Sequence, residues 1–223
     1  MVEFRELRTA VELAVLPRFE QQVWGGEQEV VSVNMLVATI AEGGVAIGAF
    51  DGAELIGSVY GFPTSDPRVL HSHYLAVASS HRGRGIGVEL KMRQRRWCLE
   101  RGLTAMRWTF DPLQLANAHL NLRVLGAFGE RYHVDYYGTL GGINGSLPSD
   151  RVVVRWQLNG DPPPGSQRRT VLAPRISPQQ IAAADQVAHA ARLHLRAELE
   201  PWISRGWVLV DVDVAASTYF IAR

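Results

Sequence analysis

The sequence has little of what disulfide-bonded, membrane-spanning or nucleic-acid-coating proteins need. Cys98 is the single cysteine among 223 residues, which excludes an intramolecular disulfide and a cysteine-based metal cluster. The formal net charge of +1 gives no overall electrostatic case for nucleic acid or a membrane as partner. No apolar run approaches membrane-spanning length, and the chain start lacks a basic-then-apolar signal. We therefore expect a cytoplasmic protein.

The composition is otherwise that of a globular protein, and it changes abruptly at one point. Hydrophobic residues make up 47% of the chain, enough for a packed core. A stretch rich in proline and glycine follows residue 158 and is typical of a linker. We predict a catalytic domain over 1–158, a linker over 159–169 and an appendage over 170–223. The appendage is too small to bury both its faces, so it should pack on the main sheet or form a homodimer.

The predicted order of elements over 1–158 is strand, two helices, three strands, helix, strand, helix and two strands. The Asp51-Gly52 pair predicts a tight antiparallel hairpin, whereas each strand-helix-strand unit needs parallel pairing. The fold class is therefore α+β with a mixed sheet. Two further predictions are an aromatic strand running through Tyr132, Tyr136 and Tyr137, and one long helix beginning after Ser177.

The stretch 79–87 is a glycine-rich turn between a strand and a helix. Gly83, Gly85 and Gly87 alternate with other residues, and glycine lets the backbone adopt positive φ and approach a ligand closely. The helix that follows directs unpaired N–H groups at the turn, and Arg82 and Arg84 add positive charge. A phosphate or pyrophosphate is the natural ligand.

Spacing separates this turn from the two best-known nucleotide-binding loops. A Rossmann turn has its third glycine where this sequence has Val88, and an acidic residue about 20 positions later. A P-loop ends in Gly-Lys-Ser or Gly-Lys-Thr, and Gly87-Val88-Glu89 does not match.

The segment Arg82-Gly83-Arg84-Gly85-Ile86-Gly87 resembles the acyl-coenzyme A (CoA) loop of the GNAT acyltransferase superfamily. The segment 117–127 is similar to a second GNAT feature, a helix in which Ala118 and Gly126 match in register. Leu122 departs from it, because many members carry there the tyrosine that protonates the departing thiolate. The succession of elements over 1–158 also resembles the GNAT fold.

This resemblance implies a splayed central sheet and an acyl-CoA co-substrate, acetyl-CoA by default. One strand would pair its backbone with the pantetheine arm, and the turn would hold the pyrophosphate. Asn117 would contact the coenzyme or cap its own helix. The other residues implied in coenzyme binding are Leu75, Ala76, Val77, Arg82, Gly83, Arg84, Gly85, Ile86 and Gly87.

His73 is the predicted general base, because an ordinary histidine pKa near 6.5 is close to the working pH. It lies two positions before Leu75, so we expect the two side chains to share a face of the strand. His71 is a second candidate on that face. The general acid would be Tyr132 or Tyr136, which alternation places together on one strand face.

Arg151 and Arg131 are the candidates for holding a substrate carboxylate, since an arginine can bind one bidentately. We expect no metal site, because the two nearby histidines have no acidic or cysteine partner at a recognisable spacing. A basic cluster after the glycine turn is interpreted as the solvent face of a helix rather than a nucleic-acid surface: Lys91, Arg93, Arg95, Arg96 and Arg101.

The sequence thus predicts an acyl-CoA-dependent N-acyltransferase with an acetyl or succinyl donor. The acceptor would be the primary amine of a small molecule, for example an amino acid, attacking directly in a ternary complex. The absence of a tyrosine at Leu122 keeps a second hypothesis open, a non-catalytic acyl-CoA sensor.

Overall fold

The computed structural model describes residues 1–25, 30–138, 140, 146–161 and 165–223. The sequence over 141–150 is rich in glycine and predicts a loop, of which residues 141–145 lie outside the described part. The chain forms two compact units, Met1–Trp108 and Thr109–Arg223. The functional division expected near residue 158 stays a prediction.

The first unit contains a mixed sheet, as predicted. Strands β1 to β4 pair antiparallel in chain order, and β4 pairs in parallel with β5. The predicted Asp-Gly hairpin joins β2 and β3, with Asp51 opposite Glu54. The elements are β1 (Val2–Glu6), α1 (Ala10–Leu13), α2 (Leu16–Trp24), α3 (Val33–Ala41), β2 (Val45–Asp51), β3 (Glu54–Pro63), β4 (Val69–Val77), α4 (Ile86–Leu99) and β5 (Ala105–Phe110).

Helices cover both faces of this sheet. On one face, α1 to α3 bury a core that includes Leu13, Phe19, Leu36 and the β4 residue Tyr74. On the other face, α4 packs so closely that a Cβ on Gly57 would meet Ile86 at 3.0 Å. Thr9 begins α1 with a capping box to Glu12, as its position in the sequence predicts.

A β-bulge in β4 changes which side chains point to which face. Tyr60 pairs with Tyr74 and the next residue, Gly61, pairs with Ser72, so His73 is the extra residue. A bulge interrupts the alternation of side chains along a strand. Ser72 consequently faces α4, where its hydroxyl donates to Gln94 Oε1 at 2.7 Å, whereas Tyr74 faces α1 to α3.

The second unit has an antiparallel sheet in the order β7-β6-β9-β10-β8. Gly129 of β6 lies opposite Leu209 of β9, and a Cβ on it would meet Leu209 Cβ at 2.9 Å. Strands of the expected appendage therefore extend a sheet begun before residue 158. The elements are α5 (Leu115–Ala118), a π-helix (His119–Val124), β6 (Phe128–His133), β7 (Arg151–Gln157), β8 (Arg168–Leu172), α6 (Pro178–Ala183), α7 (Gln186–Ile203), β9 (Val208–Asp213) and β10 (Thr218–Ala222).

The prediction of one long helix after Ser177 is wrong, because the chain forms two. The first begins where the sequence predicts, with a capping box between Ser177 and Gln180. Ala184 then adopts φ +49°, which ends α6, and the Asp185 side chain accepts a hydrogen bond from the Ala188 N–H to begin α7. Helix α7 continues through Pro201. No helix in the described part of the chain is long and apolar enough to cross a bilayer.

Two ion pairs tie α7 to loops of the second unit. Arg192 donates to both carboxylate oxygens of Asp111 at 2.7 Å, and both side chains are almost fully buried. Arg196 binds Asp150 in the same bidentate way, at 2.8 and 2.7 Å. Bidentate pairs of this kind fix orientation as well as adding energy.

Replacing Arg192 by methionine should destabilise the protein strongly, because the buried Asp111 carboxylate loses its bidentate partner and keeps only the more distant Arg151, at 3.9 Å. We expect a loss of roughly 3–5 kcal/mol in the free energy of unfolding, measured by urea denaturation. The control is Arg123→Met, which removes an exposed pair with Asp211 at 3.6 Å and should cost less than about 1 kcal/mol. Equal losses in the two variants would contradict the structural role of Arg192.

Candidate active site

The predicted glycine turn joins β4 to α4 and needs glycine at two positions. Gly83 has φ +74° and Gly85 has φ +79°, a region that other residues rarely occupy. A Cβ built on either residue would meet no atom within 4 Å, so the surface beside the turn is open. Gly87 instead packs against Leu75 and Val77, at 3.5 and 3.6 Å from a built Cβ. The turn therefore presents bare backbone on its outer side.

The start of α4 offers hydrogen-bond donors to this open surface. Gly85 is the N-cap, and no side chain caps the helix. The first intrahelical bond runs from the Glu89 N–H to the Gly85 carbonyl, so the amides that precede it have no helical partner. Arg82 is held by a bond from Nε to the Val77 carbonyl at 3.3 Å, and Arg84 is exposed. Such a turn suits a phosphate or diphosphate.

Strand β4 runs well beyond its parallel partner. The register with β5 covers Val69–His71 against Ala105–Arg107, at the beginning of β4. The six residues that follow, 72–77, extend past this register towards the glycine turn. Leu75 and Val77, both implied in coenzyme binding, lie here and face α4. The end of pairing between β4 and β5 after His71 is the splay of the central sheet that the resemblance predicts.

His71 and His73 lie together on the face of α1 to α3, in a row of aromatic rings. The His71 ring is 4.8 Å from the Phe62 ring, and the His73 ring is 5.5 Å from Phe62 and 5.8 Å from Tyr60. The expectation that His73 shares the face of Leu75 is wrong, because the bulge at His73 reverses the alternation. The role of His73 as base stays a prediction.

The surroundings of the two histidines favour their neutral forms. Burial, with smaller repulsion from His73, Arg107 and Lys91, lowers the pKa of His71 to about 4. His73 is exposed as a whole residue, but its imidazole lies against the rings of Tyr60 and Phe62, and partial desolvation lowers its pKa from the ordinary 6.5. A neutral imidazole is the form that accepts a proton.

Lys91 is buried, contrary to its interpretation as part of a solvent face. The side chain is 2% exposed, and its Nζ donates to Ser72 Oγ at 2.7 Å and lies 3.7 Å from the centre of the Trp108 ring. Burial lowers its pKa to about 7. Ser72 and Trp108 are the first residues of β4 and β5 beyond their parallel register. Lys91 thus lies where the two strands cease to pair.

The sequence contained a signal for this burial that the charge pattern obscured. Lys91, Gln94 and Cys98 are spaced by three and four residues, the interval of one helix face, and all three are buried. Glu20 was missed in the same way, because it lies within the polar stretch of α2 yet is 2% exposed.

The predicted phenols do not share a strand face. Tyr132 lies in β6, but Tyr136 and Tyr137 lie in the turn after it. The Tyr132 hydroxyl donates to Asp150 Oδ2 at 2.7 Å, and burial together with this carboxylate raises its pKa. Tyr136 is 49% exposed, and its ring contacts those of His133 and Tyr137, with centres 4.7 and 4.6 Å away.

The two predicted substrate arginines differ in environment. Arg151 is 7% exposed, its Nη1 donates to the Asp150 carbonyl at 2.8 Å, and it lies 3.9 Å from Asp111. Burial lowers its pKa, against the attraction of Asp111. Arg131 is mostly exposed beside Glu130. Their role in holding a substrate carboxylate stays a prediction.

Asn117 and Leu122 lie in the helical segment that follows β5. The prediction that Asn117 caps its helix is wrong, because Gln114 is the N-cap and Asn117 accepts a bond from Asn121 Nδ2 at 3.2 Å inside the helical segment. Leu122 is buried within the π-helix. Among the described residues, no group of three side chains is arranged to hold a metal ion.

A model of the acetyltransferase (GNAT) family matches residues 12–127, slightly more than half of the chain. The chain belongs to the GNAT family. Members of this family generally transfer acetyl groups from an acyl-CoA, so the protein is assigned as a GNAT-type transferase. The fold and family predicted from the glycine turn are thereby confirmed.

Solved structures share this fold at low sequence identity. The ribosomal-protein-S18-alanine N-acetyltransferase of Escherichia coli is 16% identical, with a TM-score of 0.58, and the match covers 71% of this chain and 94% of that one. The yncA protein of Salmonella typhimurium, solved with its cofactor acetyl-CoA, is 14% identical with a TM-score of 0.58 over 75% and 99% of the chains. An aminoglycoside 6'-acetyltransferase type Ii is 18% identical, with a TM-score of 0.55 over 74% and 99%. A search of curated proteins gave no significant match.

The buried Lys91 should give stability a distinctive pH dependence. Its pKa is about 7 when folded and near 10.5 when unfolded, so between these values the unfolded chain binds more protons. Lys91 therefore makes the free energy of unfolding increase as the pH rises from about 7 to 10.5. The increase is at most about 1.4 kcal/mol per pH unit. In Lys91→Met this contribution should vanish, and the variant should be the more stable near pH 7.

The measurement is urea denaturation of wild type and variant at several pH values from 6 to 10. Arg96→Met, an exposed change on the same helix, is the control and should follow the wild type. Parallel curves for wild type and Lys91→Met would show that Lys91 is not desolvated as described.

Proposed function

We propose that this GNAT member is an N-acyltransferase that moves an acyl group from coenzyme A to the primary amine of a small molecule. The observation that carries the proposal is the glycine turn with uncapped helix amides, directly after a strand that outruns its parallel partner. A diphosphate at the turn would leave the rest of the coenzyme beside the stretch of β4 that extends past its register with β5. The two features together suit a long ligand with one charged end.

Holding the donor is the first task of the site. The backbone amides between Arg82 and Gly87 would bind the diphosphate, with Arg82 and Arg84 adding charge. The backbone of Leu75, Ala76 and Val77 would pair with the pantetheine arm as an added strand does. An N–H group of this stretch would polarise the thioester carbonyl, whose oxygen gains negative charge during attack. Asn117 is kept as a further coenzyme contact.

The donor is acetyl-CoA or succinyl-CoA. Lys91 supports the succinyl alternative, because it is a buried amine with no carboxylate partner among the described residues, at the point where β4 and β5 cease to pair. A succinyl carboxylate would supply the missing counter-ion. Acetyl would leave Lys91 neutral, which its lowered pKa permits.

The acceptor amine would attack the thioester directly, without a covalent enzyme intermediate. An amine must be neutral to attack, so a base must take its proton. His73 is the proposed base, with His71 next to it. Both lie on the face of α1 to α3, beside Tyr60 and Phe62, whereas Leu75 and Val77 face α4. We therefore place the acceptor on the α1–α3 side of β4, opposite the layer that contains α4.

The departing thiolate needs a proton, and Leu122 cannot supply one. Tyr136 is the better candidate for the general acid, because it is half exposed in its turn. The Tyr132 hydroxyl instead donates its hydrogen bond to Asp150. Arg151 and Arg131 remain candidates for a carboxylate on the acceptor. For Arg151 this would require the substrate to compete with Asp111.

Calorimetry and a thiol-release assay test the proposal together. The protein should bind CoA, acetyl-CoA and succinyl-CoA, and release free thiol when an accepted amine from a panel is added. Gly85→Ala should weaken all three bindings roughly tenfold or more, since alanine at φ +79° strains the turn that holds the diphosphate. Gly206→Ala, also at positive φ but after α7, is the matched control.

Failure of all three coenzyme forms to bind would overturn the proposal. Binding without thiol release across the panel would instead favour an acyl-CoA sensor.

Replacing His73 by alanine should reduce kcat by roughly 10²- to 10⁴-fold, the usual effect of removing a general base. Because desolvation lowers the pKa of His73, its neutral form persists below pH 6.5, and the acid limb of the wild-type kcat profile should lie below that value. This limb should disappear in the variant. His189→Ala, an exposed change on α7, should leave kcat unchanged. A kcat within twofold of wild type in His73→Ala would remove His73 from the mechanism.

A further inference from the structure

A cleft of about 280 Å³ opens in the first unit, where β1 ends and β2 begins, beside the end of α4. Its floor includes Leu7, Val45 and Ala46, all buried, and the α4 residue Trp97. We call it the Trp97 cleft. Ligand pockets usually measure about 300–1,000 Å³, so this one suits a small molecule.

Two arginines and one glutamate carry the charge at the mouth of the Trp97 cleft. Arg8 and Arg101 are exposed and Glu6 is half-buried. Arg8 donates from Nε and Nη2 to Glu6 Oε2, at 3.0 and 2.9 Å. Arg101 has only an exposed ion pair with Glu100, at 3.9 Å, and such a pair contributes little. The two arginines and Glu6 therefore leave one positive charge at the mouth.

The guanidinium of Arg101 is held in place by Trp97. Its central carbon lies 4.1 Å from the centre of the Trp97 ring, and Nη1 donates to the Trp97 carbonyl at 3.2 Å. A guanidinium has five N–H donors, so the stacked group keeps several for a ligand. An arginine that is already fixed loses little side-chain freedom on binding, which favours affinity.

An organic carboxylate matches both the mouth and the floor of the Trp97 cleft. The planar fork of an arginine binds a carboxylate through two parallel hydrogen bonds. An apolar body attached to that carboxylate would cover the floor, and each Å² of apolar surface removed from water contributes about 25 cal/mol. An inorganic anion would leave the floor in contact with water, and a neutral molecule would not use the positive charge.

We propose that the Trp97 cleft is a second ligand site, which binds a small organic acid with its carboxylate on Arg101 and its apolar body over the floor. The site is separate from the glycine turn, because Trp97 lies about 18 Å along α4 from Gly85 at a rise of about 1.5 Å per residue. A bound acid would therefore leave the turn free. This inference does not depend on the proposed transfer reaction.

Calorimetry with benzoate and benzamide tests the proposal on the full chain, because the two have the same ring and similar size but differ in charge. At pH 7 and constant ionic strength, benzoate should bind roughly tenfold or more tightly, the effect of one charge-assisted hydrogen bond. Inorganic phosphate should bind more weakly than benzoate, because it gains nothing from the floor. Saturating CoA should leave the affinity for benzoate unchanged.

Arg101→Met removes the guanidinium and keeps an apolar stem. It should abolish the preference for benzoate and leave benzamide binding unchanged. Arg8→Met should reduce the preference as well, because Glu6 then lacks its partner at the mouth. Arg96→Met, the same change on the same helix but outside the cleft, is the control and should keep the wild-type preference. All three arginines are exposed, so each variant should fold.

Three results would overturn the second site. Benzoate and benzamide could bind equally, or the preference could survive in Arg101→Met. Phosphate binding as tightly as benzoate would show a general anion site without a role for the floor. Displacement of benzoate by CoA would place the acid at the glycine turn instead of at the Trp97 cleft.

Discussion

The bulge at His73 is the constraint on which the candidate site depends. One extra residue in β4 sends Ser72 towards α4 and Tyr74 towards α1 to α3, although a regular strand would point both the same way. The same strand outruns its parallel pairing with β5 after His71. A single stretch of backbone therefore separates the side of β4 that faces α4 from the side on which we propose that the acceptor binds.

Each of these layers contains one buried ionisable side chain without a counter-ion among the described residues. Lys91 lies on the α4 side and Glu20 on the α1–α3 side, and burial moves the pKa of each to about 7, from opposite directions. Each can thus change protonation state at small cost when a ligand of opposite charge arrives. In the proposed function, Lys91 would meet the carboxylate of a succinyl donor. Buried ionisable groups of this kind reduce stability, which is a common feature of functional sites.

Local signals in the sequence predicted much of the fold but not the direction of the key side chains. The Asp51-Gly52 hairpin, the caps at Thr9 and Ser177 and the turn at Gly83 and Gly85 are fixed by neighbouring residues, and all are present. The bulge at His73 depends on the register against β3, which no local pattern reveals. The burial of Lys91 likewise depends on Ser72 and Trp108, which are distant in sequence. Sequence reasoning therefore missed the two features that depend on contacts between distant segments, the bulge at His73 and the burial of Lys91.

The central claim is that backbone amides at the turn before α4 hold the diphosphate of an acyl-CoA. Hydrogen exchange of the whole protein with and without CoA tests it most directly, since it observes those amides themselves. We predict that CoA slows exchange at the amides of Arg82 to Val88 and along Leu75 to Val77, while α7 is unaffected. Unchanged exchange in both stretches at saturating CoA would contradict the account.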